Sequence, residues 1–203
     1  MSTEIRTGAA LLVVDAQRSF LQRESWSASS DPEVAVRIGR LVDHFRERGR
    51  RVVWVMHTEP GTGSVFDPVR GFVEPLPGLA PTAGETRLTK TAHSAFTGTD
   101  LRRLLTGWGV REVTVCGVRT EQCCETTTRM GSELGFAMTF AVDATATEPI
   151  EAPGAAPGRS LREVLDDPAT LLPRDVVTRT VYALSGRFAE VRTVDQIVTG
   201  KLE

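Results

Sequence analysis

The feature that most constrains this chain is a set of short, continuous apolar runs. Ala9–Val14 reads Ala-Ala-Leu-Leu-Val-Val, and further runs lie at residues 52–56 and 113–118. A strand with one wet face alternates apolar and polar residues. A run apolar throughout is buried on both faces, as in a parallel sheet. Helical patterns separate the runs. Asp31 and Pro32 open the first; Val34, Ile38, Leu41, Val42 and Phe45 share one face, and Gly49 ends it. Leu101, Leu104, Leu105 and Trp108 mark a second helix, and residues 120–134 a third, with Gly135 as its stop. A fourth is expected at 174–186 with Val177, Val181 and Leu184 inward. Weaker strands are expected at 86–89, 136–142 and 189–194. This alternation predicts a three-layer α/β fold, a mainly parallel sheet with helices on both faces. The 203 residues are enough for one such domain over 1–203, with no internal repeat or dividing linker. Two Gly/Pro-rich stretches, 59–84 and 149–158, are expected as loops that shape the entrance to a site.

Composition excludes some partners. A formal net charge of -2 offers no electrostatic footprint for nucleic acid or for an anionic membrane. The longest apolar run is far too short to span a bilayer. The amino terminus begins polar, without a signal-peptide pattern, so the cytoplasm is the expected compartment. Cys116, Cys123 and Cys124 are an odd, clustered set, which argues against a disulfide framework and for reduced thiols.

Three positions then carry chemistry. Cys123 follows a strand end and a tight turn, near an expected helix start. Unpaired N–H groups and the helix dipole there lower a thiol pKa and can hold an oxyanion. The same pattern also fits a small buried hydrophobe. Asp15 follows the first strand, where ligands bind in open parallel sheets; beside a thiol it can take a proton and return it to a leaving amine. It fits a turn or helix cap equally well. Lys90 follows the third strand, where an ammonium could keep Asp15 ionised, although a lone lysine is ordinarily a solvated surface charge.

Together, Asp15, Lys90 and Cys123 resemble the catalytic set of the isochorismatase-like cysteine hydrolases. The matching blocks are Val13-Val14-Asp15-Ala16-Gln17-Arg18-Ser19-Phe20, then Lys90-Thr91-Ala92-His93-Ser94-Ala95-Phe96-Thr97-Gly98-Thr99-Asp100-Leu101, then Gly117-Val118-Arg119-Thr120-Glu121-Gln122-Cys123. Val142-Asp143-Ala144 is a weaker fourth match. The resemblance implies a six-stranded doubly wound sheet in the order 3-2-1-4-5-6. It implies Cys123 as nucleophile, Asp15 as general base and acid, and Lys90 as their electrostatic partner. It further implies a cis peptide at Val118–Arg119, with the backbone N–H groups of Arg119 and Cys123 forming an oxyanion hole. Relatives form dimers or tetramers, so a homo-oligomer is implied as well.

Gln17, Phe20, Phe66, His93 and Arg119 are the expected substrate-binding residues. Cys124, one residue on, is rotated about 100° off the crevice face of a helix. Nicotinamidases of this superfamily bind a metal through an Asp-x-His pair and a second His. Here Trp54-Val55-Met56-His57 has no such Asp, and His57 with His93 makes a poor zinc site. No metal and no cofactor are expected. The retained thiol favours cleavage of a C–N bond in a small-molecule amide, lactam or carbamoyl compound through a thioester. Isochorismate-type vinyl ether hydrolysis and an idle binding protein on the same fold are the competing readings.

Overall fold

The computed structural model describes residues 8–200. Six strands, β1 (Ala9–Val14), β2 (Arg51–His57), β3 (Thr86–Lys90), β4 (Glu112–Val118), β5 (Ala137–Ala146) and β6 (Glu190–Arg192), form one sheet in the order β3-β2-β1-β4-β5-β6. Every pairing is parallel. The helices are α1 (Val34–Glu47), α2 (Leu101–Gly107), α3 (Glu125–Glu133), α4 (Leu161–Asp166), α5 (Pro173–Leu184) and α6 (Val194–Thr199).

The continuous apolar runs are explained by two-sided burial. From β1, Leu11 and Val13 face the cluster beneath α1, with Ile38, Leu41, Phe45 and Trp54. Leu12 and Val14 face the opposite cluster with Leu101, Leu105, Phe140 and Leu184. Each such side chain withdrawn from water contributes about 1.5–3 kcal/mol. The apolar stripe read from α1 is the buried face of that helix.

Five elements depart from expectation. Residues 120–134 are not one helix: Thr120–Cys124 form a π-helical turn, in which the Cys124 N–H reaches the Arg119 carbonyl at 3.2 Å, and α3 starts only at Glu125. Strand β5 does not stop at Val142. Its pairing jumps from Val115↔Phe140 to Gly117↔Thr145, so a bulge absorbs the extra residues and pairing resumes as far as Ala146. Asp143, in that bulge, accepts from the Val194 N–H at 2.7 Å and so anchors the start of α6. In α5 the buried residues are Val176, Thr180 and Leu184. Thr180 holds its inward position because its hydroxyl donates to buried Glu125 Oε2 at 3.0 Å. Helices α4 and α6 were not anticipated, although Ser160 with Glu163 and Thr193 with Gln196 are capping boxes.

The sheet order reverses between β1 and β4. The crevice at their carboxyl ends is where an open α/β sheet binds ligands. Close approach there depends on Gly117, whose φ is 133° and whose added Cβ would lie 1.8 Å from the Val14 carbonyl oxygen.

Candidate active site

Asp15, Lys90 and Cys123 meet in this crevice. Asp15 leaves β1 with φ 50°, a left-handed conformation uncommon outside glycine. Two bonds hold it: its N–H to the Val55 carbonyl at 2.7 Å, and the Gln17 N–H to its own carbonyl at 2.8 Å. Lys90 ends β3, across β2 from Asp15, and is 2% exposed. Its ammonium donates to Asp15 Oδ2 at 2.6 Å, to the Ala92 carbonyl at 3.1 Å and to Cys123 Sγ at 3.4 Å. These three acceptors use the three ammonium protons. His93 is exposed, with Nδ1 3.7 Å from the same sulfur. The loop carrying it is tied to α3 by the Ala95 N–H, which donates to the Thr127 hydroxyl at 3.0 Å.

The thiol does not behave as expected from its place near a helix start. Burial pushes the Cys123 pKa up, and the Asp15 charge pushes it further than Lys90 pulls it back. The turn seals the sulfur and sets a carboxylate against it, and both effects favour the neutral thiol. Burial also pushes the Asp15 carboxyl above its ordinary value, outweighing the pull of Lys90, of the Cys123 thiol and of His57. Asp15 Oδ1 is buried without a well-formed hydrogen bond among the described residues. The arrangement is a neutral sulfhydryl beside a strengthened base, with an ammonium fixing that base from the other side.

The Val118–Arg119 peptide is cis. The Arg119 carbonyl accepts from the N–H groups of Gln122 and Cys124, on either side of Cys123. The Arg119 side chain and Gln122 line a cavity of about 430 Å³ together with Arg23, Ile150, Arg159 and Leu161. A larger concavity of about 630 Å³ lies at the amino ends of the strands, among Ala9, Glu112 and Ala137. We assign the site to the carboxyl ends because the titratable groups converge there.

Other expected substrate contacts are placed elsewhere. Gln17 is fully buried, and its amide donates to the His57 carbonyl at 3.0 Å and to Ser19 Oγ at 2.9 Å while accepting from the His57 N–H at 2.8 Å. It is a clip between chain segments and offers a ligand nothing. Phe20 and Phe66 pack edge to face at 5.1 Å in the cluster beneath α1, whereas Cys123 belongs to the cluster on the other side of the sheet. Aromatic packing outcompetes exposure to a polar crevice for these rings. Cys124 is fully buried, as is Cys116, whose thiol faces the Leu12 carbonyl. His57 Nε2 lies 3.3 Å from Glu59 Oε1. Among the described residues no group of three or more His, Cys, Asp or Glu side chains is arranged to hold a metal ion, and no helix is long and apolar enough to cross a membrane.

Sequence reading missed a further buried acid beside the site. Glu148, two residues past β5, is fully buried against Ser25, Arg23 and Arg119. Its position beyond a strand's carboxyl end is the signal that singled out Asp15, and it went unused.

A thiol, a buried carboxylate and a buried ammonium meet at the reversal of a doubly wound parallel sheet. The model of the isochorismatase domain matches residues 9–163, and the chain belongs to the isochorismatase family. It is 30% identical to the isochorismatase-family protein YrdC of Bacillus subtilis, over 93% of this chain and 94% of that one. It is 34% identical to a streptothricin hydrolase of Streptomyces noursei, over 83% and 69% of the two chains. Among solved structures, an isochorismatase-family protein from Chromobacterium violaceum superposes with a TM-score of 0.82 at 26% identity, covering 98% of this chain and 97% of that one.

Proposed function

We propose that this protein hydrolyses a C–N bond of a small amide, lactam or carbamoyl compound through a thioester on Cys123. The observation that carries the reading is Lys90 Nζ, at 2.6 Å from Asp15 Oδ2 and 3.4 Å from Cys123 Sγ. One ammonium thereby joins an acid and a thiol. The similarity to a streptothricin hydrolase supports amide chemistry.

Asp15 takes the thiol proton as sulfur attacks the carbonyl carbon, so no free thiolate has to accumulate. Negative charge forms on the carbonyl oxygen, towards the N–H groups of Arg119 and Cys123. The C–N bond breaks as Asp15 gives its proton to the leaving nitrogen. Water then attacks the thioester, Asp15 accepts its proton, and the thiol is restored with release of the acid. Lys90 keeps its protons throughout and holds the carboxylate in register.

The test is nitrogen release from a panel of amides, lactams and carbamoyl compounds by wild type, Cys123→Ala and Asp15→Asn. Either substitution is expected to cost about 10³-fold or more in kcat. Undiminished turnover by Cys123→Ala sinks the thioester. If an ether substrate is cleaved by Cys123→Ala but not by Asp15→Asn, vinyl ether hydrolysis replaces it.

A further inference from the structure

We infer that Glu148 is a positioning residue for the site: it acts through Arg119 to hold the turn that carries Cys123. Glu148 is 0% exposed and follows β5. A carboxylate so deeply buried is costly unless cations and donors surround it. Ser25 Oγ donates to its Oε1 at 2.6 Å. Its Oε2 lies 3.4 Å from Arg23 Nε and 3.8 Å from Arg119 Nε. Its main-chain carbonyl accepts from an Arg119 guanidinium nitrogen at 3.3 Å. The same Nε lies 3.3 Å from Glu121 Oε1. Glu121 Oε2 is in turn bound by the Thr147 hydroxyl at 2.5 Å.

Three distant segments are therefore joined at Glu148: the turns after β1, the exit of β4 and the exit of β5. Its partner at the exit of β4 is Arg119, whose carbonyl accepts the N–H groups flanking Cys123 and which lines the adjoining cavity. Moving the Arg119 side chain shifts the backbone on both sides of the nucleophile. Glu148 itself is sealed behind the two arginines and does not line that cavity. Its influence on a substrate is relayed, not direct.

The kinetic half of the test rests on the amide-hydrolase reading; the chemical half does not. Glu148→Gln keeps the shape and an acceptor for Ser25 but removes the charge. It is expected to lower kcat by about tenfold or more, with KM within about twofold, because misplacing a reacting group costs rate more than binding. Arg119→Met cuts the same link from the other end and should give a similar loss. The double variant should be no worse than the poorer single one, the non-additivity of two residues on one path. The substrate-free readout is the rate of Cys123 alkylation by iodoacetamide, followed by mass spectrometry at that residue. It should shift by about threefold or more in both variants.

Unchanged kcat in either variant, additive losses, or loss only in proportion to a falling fraction of folded protein would overturn the inference. If Glu148→Gln does not fold, Arg119→Met alone decides it. Should no amide be turned over by wild type, a shifted alkylation rate in both variants leaves the relay standing while the proposed reaction fails. An unshifted rate sinks the relay as well.

Discussion

Lys90 Nζ and Asp15 Oδ2 stand 2.6 Å apart with their side chains 0% and 1% exposed, one at the end of β3 and the other just past β1. A buried pair of this kind adds little net stability when intact but is destabilising when one partner is lost.

Lys90→Met should therefore cost about 3–5 kcal/mol of stability near neutral pH. The cost should depend on pH. Asp15 is already raised by burial, and removing Lys90 removes a lowering influence, so its folded-state value rises further. An acid raised in the fold favours its protonated form there, so stability is kept at low pH and lost as pH climbs. Urea unfolding at about pH 5 and about pH 8 should show the larger deficit at the higher pH. A deficit equal at both, or greater in acid, contradicts the arrangement.

The pH profile of kcat/KM should carry an acid limb above the ordinary aspartate value of 3.8, because the working form needs Asp15 ionised and burial resists that. Cys123 alkylation should keep accelerating with pH beyond the ordinary thiol value of 9.0, since burial and Asp15 hold the proton on sulfur. A plateau in alkylation at or below neutrality would mean a resting thiolate.

Gly117→Ala should be among the most damaging substitutions in the chain. The new methyl would meet the Val14 carbonyl at 1.8 Å, at a φ of 133° that other residues rarely adopt. A loss of about 4 kcal/mol or more, or failure to accumulate folded protein, is expected from denaturation curves. A variant with near-native stability would show that β1 and β4 can separate without penalty.

Gln17→Leu tests the clip. It leaves the His57 N–H and carbonyl without their buried partner, and each such group costs about 1–3 kcal/mol. Stability should fall by that order while KM changes by less than about twofold. A large rise in KM with unchanged stability would return Gln17 to the substrate pocket.

The layered sheet was legible because parallel strands buried on both faces need apolar residues at every position, and Ala9–Val14 supplies them. The meeting of Asp15, Lys90 and Cys123 was legible only through the resemblance of three motif blocks, since each residue alone fitted an ordinary role as well. Three things were not. A π-helical turn needs only one extra residue in its hydrogen-bonded ring, which leaves no mark on the periodicity of residues 120–134. Thr180 turns inward to bond Glu125, so an apolar count places the face of α5 wrongly. The thiol pKa depends on how deeply the sulfur is covered and on which charge abuts it, neither of which a linear motif encodes.

The three converging side chains sit at positions 15, 90 and 123, so no short stretch of the polypeptide contains the machinery. β1 must find β4 on one side and β2 with β3 on the other before sulfur, acid and ammonium come within reach. An unfolded chain therefore carries a cysteine with no carboxylate or ammonium aligned beside it. The site exists only once this long-range strand pairing has formed, so its assembly during refolding reports the finished topology rather than the onset of collapse.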